Sequence, residues 1–88
     1  MRLLVVEDDA MIGHSLRTGL RQDGYSVDWV RDGAAAEVAT ATTPYDAILL
    51  DLGLPGKGGL ELLAHWRKQQ NPVPVLIITA RDGLDERL

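Results

Sequence analysis

Four short apolar runs punctuate the chain: Leu3-Leu4-Val5-Val6, Val27 to Val30 around Trp29, Ala47-Ile48-Leu49-Leu50, and Val75-Leu76-Ile77-Ile78. Three are continuous rather than alternating, as in strands buried on both faces of a parallel sheet. The second carries Asp28 in its middle, as an edge strand can. The segments between them are long enough for crossover helices. From Ala10 to Asp23, Ile12, Leu16 and Leu20 fall four residues apart on one stripe, and Gly24 sits where a helix stops. Asp32 is placed to cap an alanine-rich helix from Gly33 to about Thr42. A third helix, Gly59 to Gln69, carries Leu62, Leu63 and Trp66 at helical spacing and is expected to end at Asn71-Pro72. Strict alternation of strands and helices predicts an α/β fold with a parallel sheet and right-handed crossovers. Asp82 can cap a fourth helix from about Leu84, and Val75–Ile78 is apolar enough to expect cover on both faces and a further strand beside it. The chain stops at Leu88, so it reads as a fragment of a longer domain.

Composition narrows the class. At 45% hydrophobic and 25% charged residues, the chain is an ordinary globular sequence and not a disordered one. A length of 88 residues holds one domain at most, burying roughly 60% of its unfolded-chain surface. Thirteen acidic residues against nine basic ones give a net charge of −4, which argues against an electrostatic grip on nucleic acid or anionic lipid by this segment. The absence of cysteine excludes disulfides, cysteine–zinc sites and thiol catalysis. The Leu3–Val6 run is broken at once by Glu7-Asp8-Asp9, too short for a signal peptide or for a membrane span of roughly 20 residues. The expected location is cytoplasmic.

The chemistry lies where the strands end. In an open parallel sheet, ligands bind beyond the carboxyl ends of the strands. The first strand ends in Glu7-Asp8-Asp9, the third in Asp51 and the fourth in Thr79-Ala80. If those strands are neighbours, three carboxylates and a hydroxyl converge. Carboxylates so close repel, so one has a raised pKa unless a cation is present. An all-oxygen set with open positions suits Mg²⁺. Gly53, two residues after Asp51, leaves its carbonyl unobstructed toward such an ion. An aspartate beside Mg²⁺ can attack phosphorus and form an aspartyl phosphate, with Thr79 bonding a phosphoryl oxygen. Single acidic residues after strands more often cap helices, and Asp9 and Asp32 are assigned that role. The coincidence at three strand ends reads as functional.

Three motifs, Leu3-Leu4-Val5-Val6-Glu7-Asp8-Asp9, Asp46-Ala47-Ile48-Leu49-Leu50-Asp51-Leu52-Gly53-Leu54-Pro55 and Ile77-Ile78-Thr79-Ala80-Arg81, in this order and spacing, resemble the receiver domain of two-component response regulators. The similarity runs across all 88 residues. The Glu7-Asp8 pair and the run from Asp51 to Pro55 look most like the winged-helix transcriptional class, the OmpR/PhoB type. The resemblance implies a flavodoxin-like (CheY-like) doubly wound sheet of order 2-1-3-4, lacking the fifth strand and last helix. It implies Asp51 as phosphoacceptor; Glu7, Asp8, Asp51 and the Gly53 backbone carbonyl as Mg²⁺ ligands; and Thr79 with the Ala80 backbone N–H as phosphoryl contacts. It further implies a sensor histidine kinase as donor, a receiver that assists its own phosphoryl transfer without being a turnover enzyme, and a DNA-binding output in the parent protein.

Two departures accompany the resemblance. Gly58 stands where receivers of this class usually have an aspartate before the third helix. The family's fifth-strand lysine and aromatic switch residue have no counterpart, because the chain is expected to hold only a partial receiver, residues 1–88, with four strands, three helices, the start of a fourth and no effector domain. An uncovered fourth strand predicts self-association through that edge or by exchange of elements. Two rival functions are weighed. An aspartate-nucleophile phosphatase needs a second aspartate where Gly53 stands, which counts against it. A receiver-like interaction module that does not use phosphate is the alternative that the missing lysine leaves open. Lys57 is read as solvated, His14 and His65 as surface residues and Trp29 and Trp66 as packing residues, since no phosphate-loop or metal spacing surrounds the lysine or the histidines.

Overall fold

The computed structural model describes residues 1–54, 56 and 58–79. Lys57, Ala80, Arg81 and the start of a fourth helix lie outside the described residues. Among the described residues seven elements alternate: β1 (Arg2–Val6), α1 (Ala10–Gln22), β2 (Ser26–Val30), α2 (Gly33–Thr42), β3 (Ala47–Asp51), α3 (Gly59–Lys68) and β4 (Val75–Thr79). All strand pairs are parallel, and the sheet order is β2-β1-β3-β4, as expected. β1 and β3 are therefore central, and their carboxyl ends lie side by side.

Both faces of β1 are buried, which explains its unbroken apolar run. Leu4 and Val6 join Ile48, Leu50, Leu62 and Trp66 beneath α2 and α3. Leu3 and Val5 face the other way, with Val27, Leu16 and Leu20, beneath α1. Trp66 is fully buried, and its indole N–H donates to the Thr40 hydroxyl at 3.0 Å, which ties α3 to α2.

Helix starts follow the expected caps. The Asp9 carboxylate accepts from the Met11 and Ile12 N–H groups, and Asp32 accepts from Ala35 N–H. Three details differ from the sequence expectation. The inward stripe of α1 is Gly13, Leu16 and Leu20, leaving Ile12 exposed, because the Trp29 ring fills the space above Gly13. A Cβ at Gly13 would collide with that ring, so a neighbouring strand supplies the packing that the helix residue lacks. α3 ends at Lys68, before Asn71-Pro72, because Gln70 turns the chain with a φ of 61°. His65 is half-buried rather than a surface residue, while His14 is exposed as expected.

Beyond β1, cover is uneven. Leu76 and Ile77 on β4 are 56% and 46% exposed, and among the described residues no strand pairs with the outer side of β4. At the opposite border, Arg2 pairs with Asp28 at 3.0 Å, and Tyr45 donates to the same carboxylate oxygen at 2.6 Å. Asp28 on the edge strand β2 is thus satisfied across β1 from the β3 side.

Candidate functional site

The site is built from chain ends that the central strands place together. The β1–β2 ladder extends one residue past β1, where Glu7 N–H donates to the Val30 carbonyl at 3.0 Å. From there the chain leaves strand geometry and Asp9 begins α1. Consecutive strand residues point to opposite faces, so Glu7 and Asp8 converge only because the backbone turns at this point. The Glu7 side chain folds over the turn, its Oε2 accepting from Asp9 N–H at 3.0 Å.

Asp51 is the last residue of β3 and is fully buried. Its Oδ1 accepts from Gly53 N–H at 2.8 Å, fixing the carboxylate over the loop that follows. That loop runs tightly against the start of α3. A Cβ at Gly59 would meet the Asp51 carbonyl oxygen and Leu52 Cα at 2.9 Å, both backbone atoms, so only glycine allows this approach. The departure at Gly58 has a visible local effect: it is the N-cap of α3 and provides no side-chain cap bond.

Glu7, Asp8 and Asp51 each place a carboxylate oxygen within 4.8 Å of the others. Glu7 and Asp51 are fully buried, Asp8 partly so. Such a cluster costs free energy because buried like charges repel and lose hydration. Burial pushes the Glu7 carboxyl up to about 7; the Asp9 N–H opposes the rise, and Asp51 and Asp8 add to it. The raised group expected from the sequence is therefore Glu7. An all-oxygen donor set of net negative charge in a buried setting fits a hard divalent cation.

The fourth strand contributes through its register. β3 and β4 pair Leu50 with Ile77 but Asp51 with Thr79, so a bulge at this point skips Ile78. Bulges of this kind re-aim residues beside active sites. Here it brings the Thr79 backbone into register with Asp51.

Sequence reasoning missed two contacts. Trp29 donates its indole N–H to the Glu7 carbonyl at 2.9 Å. Arg31 donates from Nη2 and Nε to the Asp8 carbonyl at 2.8 and 3.3 Å. Apolar patterning marks Trp29 only as a packing residue, and nothing in the spacing connects either side chain to the acidic turn. A separate cleft of about 330 Å³, lined by Thr40, Thr43, Tyr45, Asn71 and Val73 among others, opens where the sheet strands begin. None of the carboxylates lines it.

Residues 3–88 match the response regulator receiver domain family. The transcriptional regulatory protein QseB of Haemophilus influenzae is 52% identical over the whole chain, which covers 40% of that protein. The response regulator protein PmrA of Pseudomonas aeruginosa is 47% identical with the same coverage. The chain thus spans about 40% of the length of these curated relatives. Among solved structures, the receiver domain of the Francisella response regulator 1452 superposes with a TM-score of 0.87 at 32% identity, over 97% of this chain and 70% of that one.

Proposed function

The chain belongs to the response regulator receiver family, and on that premise we propose that Asp51 accepts a phosphoryl group from a sensor histidine kinase. The observation that carries this reading is the meeting of Glu7, Asp8 and Asp51 within 4.8 Å at the carboxyl ends of the two central strands. Glu7, Asp8, Asp51 and the Gly53 carbonyl are the residues that would hold Mg²⁺. Bound there, Mg²⁺ would supply positive charge to offset the acidic cluster and the incoming phosphoryl oxygens.

The protein's own groups do the rest. Gly53 N–H orients the Asp51 carboxylate. A carboxylate oxygen of Asp51 attacks phosphorus as the bond from phosphorus to the donor nitrogen breaks, and that nitrogen takes up the electron pair. The bulged register of β4 supports Thr79 as the switch hydroxyl, and Ala80 N–H is the second phosphoryl contact in this reading. The role is signalling: the domain assists one transfer to itself and later the attack of water on the same phosphorus, which releases inorganic phosphate and restores the Asp51 carboxylate.

The similarity to proteins named as transcriptional regulators supports a DNA-binding output and a cytoplasmic setting for the parent protein. No helix among the described residues is long and apolar enough to cross a membrane. Among the described residues β4 borders the sheet and exposes Leu76 and Ile77, which supports self-association through β4; sedimentation showing only monomer at high concentration overturns that part.

Intact mass after incubation with Mg²⁺ and a small-molecule phosphodonor tests the main reading, with Asp51→Asn as control. An adduct on the parent protein alone is expected. A folded parent protein that takes up no phosphoryl group is instead a receiver-like interaction module.

A further inference from the structure

A parallel ladder fixes peptide planes by backbone hydrogen bonds, and the ladder between β1 and β2 ends at Glu7 N–H. The next two carbonyls, of Glu7 and Asp8, are beyond it. Both accept from side chains of the neighbouring strand's end: the Trp29 indole for Glu7 and the Arg31 guanidinium for Asp8. Side chains thus carry the ladder two carbonyls further, over the turn from which two of the three clustered carboxylates project. The two donors also support one another, since the Arg31 guanidinium lies 5.8 Å from the Trp29 ring centroid. Arg17 of α1 lies 5.1 Å from the same ring, and Gly13 clears room for it. The indole is therefore held from the helix side as well.

We infer that Trp29 and Arg31 are positioning residues of the acidic site, holding the Glu7 and Asp8 peptide planes so that both carboxylates meet Asp51 and bind a divalent cation. The inference rests on the metal-dependent reading of the site given above. It differs from a packing role in a way that can be measured. Packing needs the area of the Trp29 ring, whereas positioning needs its N–H. Arg31 offers a sharper contrast. A positive charge beside a cation site repels the cation, so charge alone predicts that removing Arg31 tightens binding. Positioning predicts the reverse.

The experiment is Mn²⁺ binding followed by electron paramagnetic resonance, on the full-length protein and its Trp29→Phe and Arg31→Met variants, with thermal unfolding alongside. Phosphoryl uptake is then measured against Mg²⁺ concentration. Removing an outer-shell partner that orients metal ligands costs about tenfold or more in affinity, so each variant is expected to bind Mn²⁺ about tenfold more weakly. The Mg²⁺ concentration for half-maximal uptake should rise similarly, while the rate at saturating Mg²⁺ stays near that of the parent. Arg31 is exposed, so Arg31→Met should fold as the parent does even if Trp29→Phe is destabilised. Unchanged affinity in both variants, or tighter binding by Arg31→Met, overturns the inference while leaving the metal site intact. A parent protein that binds no Mn²⁺ overturns the site and the inference together.

Discussion

Replacing Glu7 by Gln should stabilise the metal-free protein and weaken its hold on Mg²⁺, and the size of the first effect follows from the burial of the group. Glu7 is fully buried, and burial with help from Asp51 and Asp8 lifts its carboxyl from 4.5 to about 7. The folded state therefore binds a proton that the unfolded state has already lost across that interval. Stability falls as pH rises from 4.5 towards 7 and levels off above. Burying the group therefore costs on the order of 3 kcal/mol at pH 8, above both values, and under about 1 kcal/mol at pH 5. Gln keeps the shape and the oxygen that accepts from Asp9 N–H, but carries no charge. Glu7→Gln should thus raise metal-free stability by a few kcal/mol at pH 8 and by much less at pH 5. Urea unfolding of both proteins at the two pH values, without and with Mg²⁺, measures this directly. The parent should gain stability from Mg²⁺ at pH 8, because binding to the folded state alone stabilises it. Glu7→Gln should gain far less. An equal or lower stability of Glu7→Gln at pH 8, or a gain independent of pH, would refute the argument that the acidic cluster is costly as folded.

Three further outcomes follow from single contacts. Gly59→Ala places a methyl group 2.9 Å from backbone atoms of Asp51 and Leu52, and should cost about 1–3 kcal/mol and slow phosphoryl uptake by shifting the Asp51 loop; unfolding and mass measurements together test it. Thr40→Val leaves the buried Trp66 indole N–H without its acceptor, and should cost about 1–3 kcal/mol, lowering the melting temperature while Mn²⁺ affinity stays at the parent's value. Tyr45→Phe removes the hydroxyl that, with Arg2, holds the Asp28 carboxyl below its ordinary 3.8; the loss, about 1 kcal/mol at neutral pH, should disappear as pH falls below 3.8, where Asp28 takes up its proton, and a pH series of melting curves checks it.

How far this architecture is legible depends on what kind of signal each feature leaves. Strand and helix positions follow from runs such as Leu3–Val6 and caps such as Asp9 and Asp32, which are local and are borne out within a residue or two. The acidic cluster is legible because the three residues fall at strand ends, and parallel topology sends all strand ends to one edge. Register is another matter. In the run from Val75 to Ile78 every residue is apolar, so the pattern has no phase, and nothing in it shows that Thr79 rather than Ile78 stands opposite Asp51. Ile12 misleads for a related reason: helical spacing cannot know that a ring from β2 occupies the place above Gly13. Trp29 and Arg31 act on backbone carbonyls 22 and 23 residues away, and such acceptors have no identity in a sequence.

Ligand and support can be separated by the direction in which they move stability. Glu7 is a charge that folding buries among like charges, so neutralising it relieves the metal-free state while removing a donor to the cation. Trp29 is a neutral donor satisfying a carbonyl, so Trp29→Phe removes about 1 kcal/mol from the metal-free state. Both substitutions weaken cation binding, but they shift metal-free stability in opposite directions at pH 8. The double variant adds a further constraint. If Trp29 acts by aiming Glu7, its loss should cost less once Glu7 no longer supplies a charge, and the two effects on Mn²⁺ affinity should sum to more than the double variant shows. If Trp29 only packs against α1, the two losses should add. The coupling between them, more than either loss alone, distinguishes a backbone held for the sake of its carboxylates from one that is merely well packed.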